Sequence, residues 1–172
     1  MKVRLTDYDE NWPEMFKAEA EFLETIFSDE IIRFEHFGST SVKGMKAKPV
    51  IDMMCIVKDI EKVDSFNGHM DSLGYDVARE WGIVGRRLFR KGGENRSHHI
   101  HFYQFDHPEI ERHLVFRDYL RVHPQEASRY SRFKEDLTKR YDTTREYSLA
   151  KKKFVSDMEQ KALRWYKDIN SE

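Results

Sequence analysis

The residues with the clearest chemical potential lie in one stretch, HFGSTSVKGMKAKPVID, from His36 to Asp52. Gly38 and Gly44 permit backbone shapes that other residues resist. Between and around them stand the hydroxyls of Ser39, Thr40 and Ser41 and the charge of Lys48. Successive backbone N–H groups in such a turn can form an anion-binding nest, and the hydroxyls and lysine add donors to it. The stretch is not the P-loop of the NTPases: five residues separate Gly38 from Gly44, and Met45 stands where that motif needs lysine. An ordinary strand–turn–strand link with solvated lysines would have the same composition.

Asp52 closes the stretch inside the apolar run Val50–Val57. A carboxylate there is costly unless it is paired, protonated or bound to a metal. Two-metal phosphoryl or nucleotidyl transfer commonly uses two acids at i and i+2 on a strand, but Met54 and Val50 hold the neighbouring same-face positions. Further along, His98-His99-Ile100-His101 puts His99 and His101 on one face of a strand, which is half of a metal site. His36 and Asp52 are the candidates to complete it. Hydrogen-bonded structural histidines are the alternative. Histidine ligands favour Zn²⁺ or Mn²⁺ over Mg²⁺. Two cations, Arg117 and Lys151, fall on the apolar faces of their helices, where an acidic partner or a phosphate would suit them; snorkelling to solvent is the other possibility. Arg86, Arg87, Arg90, Lys91 and Arg96 make a basic hairpin, as edge-protecting charge or as the flank of an anion site.

These residues need elements to position them. A helix is expected over 12–27, with Pro13 in its first turn and Trp12, Met15, Phe16, Phe22, Leu23, Ile26 and Phe27 at helical spacing. Strands are expected at 31–37, 49–57, 75–77, 86–90 and 98–105, with a Gly92–Asn95 turn making a hairpin of the last two. Asp59 is placed to cap a helix whose inner face is Ile60, Val63, Phe66, Met70 and Leu73. Three helices follow from Pro108 onward. The fold class is α+β, one sheet flanked by helices, in one domain over 1–172: a sheet-containing part to about 107 and a helical part beyond it.

The bulk numbers limit the function. The chain has 172 residues, 39% of them hydrophobic and 35% charged, a globular balance. Net charge is −1, and no stacking platform or nucleic-acid motif is legible, so nucleic acid is a poor partner. The charge is uneven: residues 1–37 carry 4 basic and 10 acidic side chains, leaving 26 and 21 in the remainder, which leans towards a small anion. The lone cysteine, Cys55, excludes an internal disulfide and fits a reducing compartment. Neither a signal-peptide pattern nor an apolar run of membrane-spanning length is present, so a cytoplasmic protein is expected.

The same motifs resemble a known family. HFGSTSVKGMKAKPVIDMM looks like the GrpB signature, roughly H-x-G-S-T-A/S-V-P-G-L/M-x-A/G-K-P-x-I/V-D, with Lys43 in place of its proline. The resemblance continues through HHIHFY, HLVFRDYLRVHPQEASRY and REYSLAKKKF. It implies a fold similar to the DNA polymerase beta-like nucleotidyltransferases, in which Gly38 and Ser39 match the phosphate-gripping pair and Asp52 the strand acid. A nucleotide or other phosphorylated small molecule is then the expected ligand. Gly38, Ser39, Thr40, Ser41 and Lys48 would hold its phosphates, with Arg117, Tyr147 and Lys151 closing from the helical side. Asp52 would be the catalytic acid and, with His36, His99 and His101, the ligand of a divalent metal (Mg, Mn or Zn). A non-catalytic binding module of the same fold and a metal-dependent phosphohydrolase are the alternatives.

Overall fold

The computed structural model describes residues 4–141 and 143–171. Its centre is a five-stranded sheet in the order β1-β2-β5-β4-β3, formed by Ile31–Phe37 (β1), Ile51–Val57 (β2), Asp76–Arg79 (β3), Arg87–Lys91 (β4) and His98–Gln104 (β5). β2 and β5 are parallel; the other pairings are antiparallel. β2 is an interior strand, and apart from Asp52 all its residues are buried, which is why it reads as a continuous apolar run.

Strand alternation divides the sheet into two chemically different faces. One carries Ile51, Met53, Cys55, Val57, Phe89, Ile100 and Phe102 and packs against helix α1 (Trp12–Phe27) and the segment after β2. That segment was expected as one helix. It forms two short ones, α2 (Ile60–Val63) and α3 (Asn67–Ser72), joined by a 3₁₀ turn at Asp64–Phe66. The reason lies in the spacing: Ile60, Val63 and Phe66 recur every third residue, the 3₁₀ period, before Met70 returns to a step of four. Leu73, expected inside, is exposed. Asp59 does cap α2, accepting from the Glu61 amide at 3.1 Å.

The other face carries Phe37, Met54, Ile56 and Tyr103, partly covered by Ile110 and Leu114 of helix α4 (Pro108–Val122). α4 packs with α5 (Pro124–Arg140) and α6 (Thr144–Asn170) into a second core. Val42 and Met45 of the glycine–serine loop insert into that core, each contributing roughly 1.5–3 kcal/mol by burial. Thr6 and Ala47 pair backbone to backbone at 2.9 and 3.2 Å. The loop is thus anchored on both sides of the Lys43–Gly44 tip. Among the described residues no helix is long and apolar enough to cross a membrane.

Candidate functional site: a buried lysine cluster beside Asp52

The turn after β1 and the acid of β2 converge. Phe37 is the register partner of Asp52, so Gly38 lies directly beside the carboxylate. Gly38 has φ +72°, and a Cβ there would stand 2.9 Å from Asp52 Oδ2; both the backbone shape and the space require glycine. The three hydroxyls that follow diverge. Ser41 Oγ donates to the Gly38 carbonyl at 2.5 Å, and Thr40 Oγ1 is hydrogen-bonded to His36 Nε2 at 2.9 Å, so both serve the turn itself. Only Ser39 faces the lysines, its Oγ accepting from Lys134 Nζ at 2.8 Å.

Lys134, on α5, is 2% exposed and also donates to the Lys46 carbonyl at 2.5 Å. The neighbouring Ser131 hydroxyl accepts from the Lys46 amide at 3.2 Å, completing the hold of α5 on the loop. Lys48 and Lys151 flank the fully buried Tyr147 ring, 5.5 and 5.4 Å from its centroid. Burial lowers the pKa of all three lysines, and they repel one another: Lys134 falls to about 7, and Lys151 to about 8 with Asp52 opposing. The Asp52 carboxylate opposes this lowering at Lys48 and Lys151. The Tyr147 hydroxyl is buried without a hydrogen-bond partner among those residues.

On the other side of Asp52 stand the histidines. His101 Nε2 lies 3.3 Å and His99 Nδ1 3.7 Å from Oδ1. Burial pushes the Asp52 carboxyl up, but hydrogen bonding from His101 and His99 outweighs it and holds it well below the usual carboxylate range. Arg86 Nη1 approaches His101 Nδ1 at 3.3 Å. A guanidinium only donates, so Nδ1 is the acceptor and Nε2 carries the proton given to Asp52. His101 is therefore fixed as a donor to the carboxylate rather than a ligand through Nε2.

Not every expected residue joins this group. His36 is the register partner of Met53, one step out of phase with Asp52, and so lies on the opposite face, stacked on Phe16 of α1 at 5.1 Å. Burial lowers its pKa to about 4. Arg117 donates to Glu35 (2.9 Å), Asp118 (2.9 Å) and the His36 carbonyl (3.0 Å); it ties α4 to β1 and is neutralised there. The basic hairpin is likewise paired, Arg87 with Asp64, Arg90 with Asp76 and Lys91 with Glu19. Among the described residues no three histidine, cysteine or acidic side chains form a metal-binding group. The fit to a divalent cation is poor on the chemistry of the donors as well: one carboxylate, engaged by two imidazoles and faced by lysines, with His101 committed as a donor.

Lys134 and Arg86 are the residues that sequence reasoning missed at the site. Lys134 had a signal: with Ala127, Tyr130 and Leu137 it occupies the apolar face of α5, as Arg117 and Lys151 do on their helices. Arg86 had none beyond its membership of the basic hairpin. A separate hollow of about 440 Å³ lies on the far side of the loop, between Tyr8, Lys43, Arg121 and Ser128, and includes neither Asp52 nor the lysine cluster.

Comparison with known proteins gives a consistent result. The family model described as GrpB protein matches residues 2–161. The YqkA protein of Bacillus subtilis is 44% identical over 99% of this chain, which spans about half (50%) of that relative. The glutamate-rich protein GrpB of Alkalihalophilus pseudofirmus is 31% identical over 91% of this chain and 94% of its own length. A dephospho-CoA kinase of Mycobacterium tuberculosis is similar at 24% identity over 95% of this chain, covering 46% of the kinase. The crystal structure of the conserved protein GrpB from Enterococcus faecalis superposes with a TM-score of 0.91 at 42% identity, over 95% of this chain and 99% of that one. With the signature stretch, the fold and the relatives in agreement, the chain belongs to the GrpB family.

Proposed function

We propose that this is a nucleotidyltransferase-like protein that binds a nucleotide or other phosphorylated small molecule, with the phosphates held by Lys48, Lys134, Lys151, Ser39 and the Tyr147 hydroxyl. The observation that carries this reading is a group of three buried lysines, Lys48 and Lys151 against the Tyr147 ring and Lys134 on Ser39, whose charges repel one another while Asp52 opposes at Lys48 and Lys151. Burying ammonium groups without matching carboxylates is costly, and a phosphate dianion removes that cost while satisfying the orphaned tyrosine hydroxyl. Asp52 and His99, 35% and 36% exposed, mark the way in from solvent. The likeness to part of a kinase named for dephospho-CoA is in keeping with a ligand of this class.

Within this reading the protein is a binding module. Nucleotidyl transfer would need cation-holding acids beside Asp52; Met54 stands at the paired strand position, and the donor set does not fit a resident metal. Asp52 instead accepts a hydrogen bond from His101 Nε2 at 3.3 Å. Residence in the cytoplasm, where such ligands and a free Cys55 thiol are both at home, belongs to the same proposal.

The test is thermal unfolding with and without a saturating nucleotide in the presence of a chelator. At about 100 times its dissociation constant a ligand should raise the midpoint by roughly 5–10 °C. The shift should vanish in Lys151→Met, with the ligand-free unfolding transition of that variant as the check that it folds. A wild-type midpoint that ignores every nucleotide and inorganic triphosphate refutes the reading.

A further inference from the structure

We infer that Trp81 is the stacking surface for the base of the nucleotide whose phosphates occupy the lysine cluster, an inference that rests on the reading just given. Trp81 lies in the turn between β3 and β4 and is 62% exposed, a large apolar ring left open to water. Its backbone is also costly: φ is +46° at Trp81 and +55° at Arg79, in the left-handed region that suits glycine. The turn is nevertheless held firmly. Arg86 Nη2 donates to the Trp81 carbonyl at 2.9 Å and Arg86 Nε to the Glu80 carbonyl at 3.3 Å, while the Gly85 amide donates to the Glu80 carboxylate at 2.7 Å. The same guanidinium donates to His101, which donates to Asp52. One side chain thereby fixes the tryptophan relative to the centre of the site.

The ring's place on the sheet gives it a ligand. Asp52, His99 and Arg90 are register partners on the successive strands β2, β5 and β4, so their side chains share one face. With strands about 4.8 Å apart, Arg90 lies about 10 Å across that face from Asp52. The Arg90 guanidinium, anchored by Asp76, sits 4.6 Å from the Trp81 ring centroid. The lysines stand at the β1–β2 end, Asp52 and His99 in the middle, and Trp81 over Arg90 at the far end, as a nucleotide extended from phosphate to base requires. A heterocycle laid on the indole would be read by its π-face, with little preference among bases.

The test titrates adenosine triphosphate and inorganic triphosphate into wild type, Trp81→Phe and Trp81→Ala. Wild type is expected to bind the nucleotide roughly tenfold tighter than the inorganic ion. Trp81→Ala should lose that advantage while its affinity for inorganic triphosphate stays at the wild-type value, which also shows that the site remains folded. Trp81→Phe should keep most of it. The inference is overturned if wild type binds both ligands alike, if Trp81→Ala keeps the full nucleotide preference, or if it loses affinity for both equally. If inorganic triphosphate does not bind wild type at all, the phosphate site itself is refuted and the stacking surface falls with it.

Discussion

Lys134→Met separates a lysine kept for a ligand from one kept for the fold. Lys134 is buried, and its pKa falls from 10.5 to about 7 through burial and the charges of Lys151 and Lys48. At about 1.4 kcal/mol per pH unit, that depression costs the folded wild type about 4 kcal/mol at neutral pH relative to an unfolded chain whose lysine is fully charged. Methionine keeps the length of the side chain and removes the cost. Against this, Ser39 Oγ and the Lys46 carbonyl each lose a donor, about 1 kcal/mol apiece. The variant should therefore be more stable than wild type by about 2 kcal/mol at neutral pH. The pH dependence has a definite sign. The lysine's folded-state pKa is depressed, so wild type regains stability as pH rises from about 7 towards 10.5, and the variant's advantage shrinks and reverses over that window. Urea unfolding at several pH values in this range measures the difference directly. A variant that is less stable than wild type at neutral pH, by an amount that does not change with pH, would refute the reasoning: Lys134 would then be a structural donor and the cluster would carry no stored electrostatic cost.

Three further outcomes are expected. Gly38→Ala places a Cβ 2.9 Å from Asp52 Oδ2 on a backbone of φ +72° and should lower stability by about 2–3 kcal/mol in denaturant titrations; a loss below about 0.5 kcal/mol would show that the turn and Asp52 are not in contact. Tyr147→Phe removes a buried hydroxyl with no partner among the described residues, so stability should hold or rise, by up to about 1–3 kcal/mol, while triphosphate affinity falls; a clear stability loss would mean the hydroxyl is already bonded in the free protein. Because the pKa values of Lys134 and Lys151 are depressed to about 7 and about 8, binding of a phosphate at mildly alkaline pH should take up protons, and affinity should weaken as pH rises through that range. Calorimetry in buffers of different ionisation enthalpy reads the uptake, and proton release instead would contradict the assignment.

Local pattern made much of the fold legible. The helix at 12–27 and the strand at 31–37 match the structure residue for residue, because continuous periodicity and clear end signals determined them. The 60–72 segment defeated the same reasoning because its apolar residues step by three before they step by four. The site was half legible. Gly38, Ser39, Lys48, Asp52, His99, His101, Tyr147 and Lys151 are brought together, whereas Thr40 and Ser41 turn inward to brace the loop. His36 could not be separated from His99 and His101 by sequence, since the face it occupies depends on the pairing of β1 with β2. The hairpin looked like a basic patch because the acids that neutralise it lie 14 to 72 residues away.

The most direct test of a phosphate site built on buried lysines is calorimetric titration of inorganic triphosphate into wild type and Lys134→Met, both in excess chelator. Saturable binding to wild type without any metal, abolished in a variant that remains folded, is the predicted result. Binding that appears only when a divalent cation is added, or that survives in Lys134→Met, would contradict it.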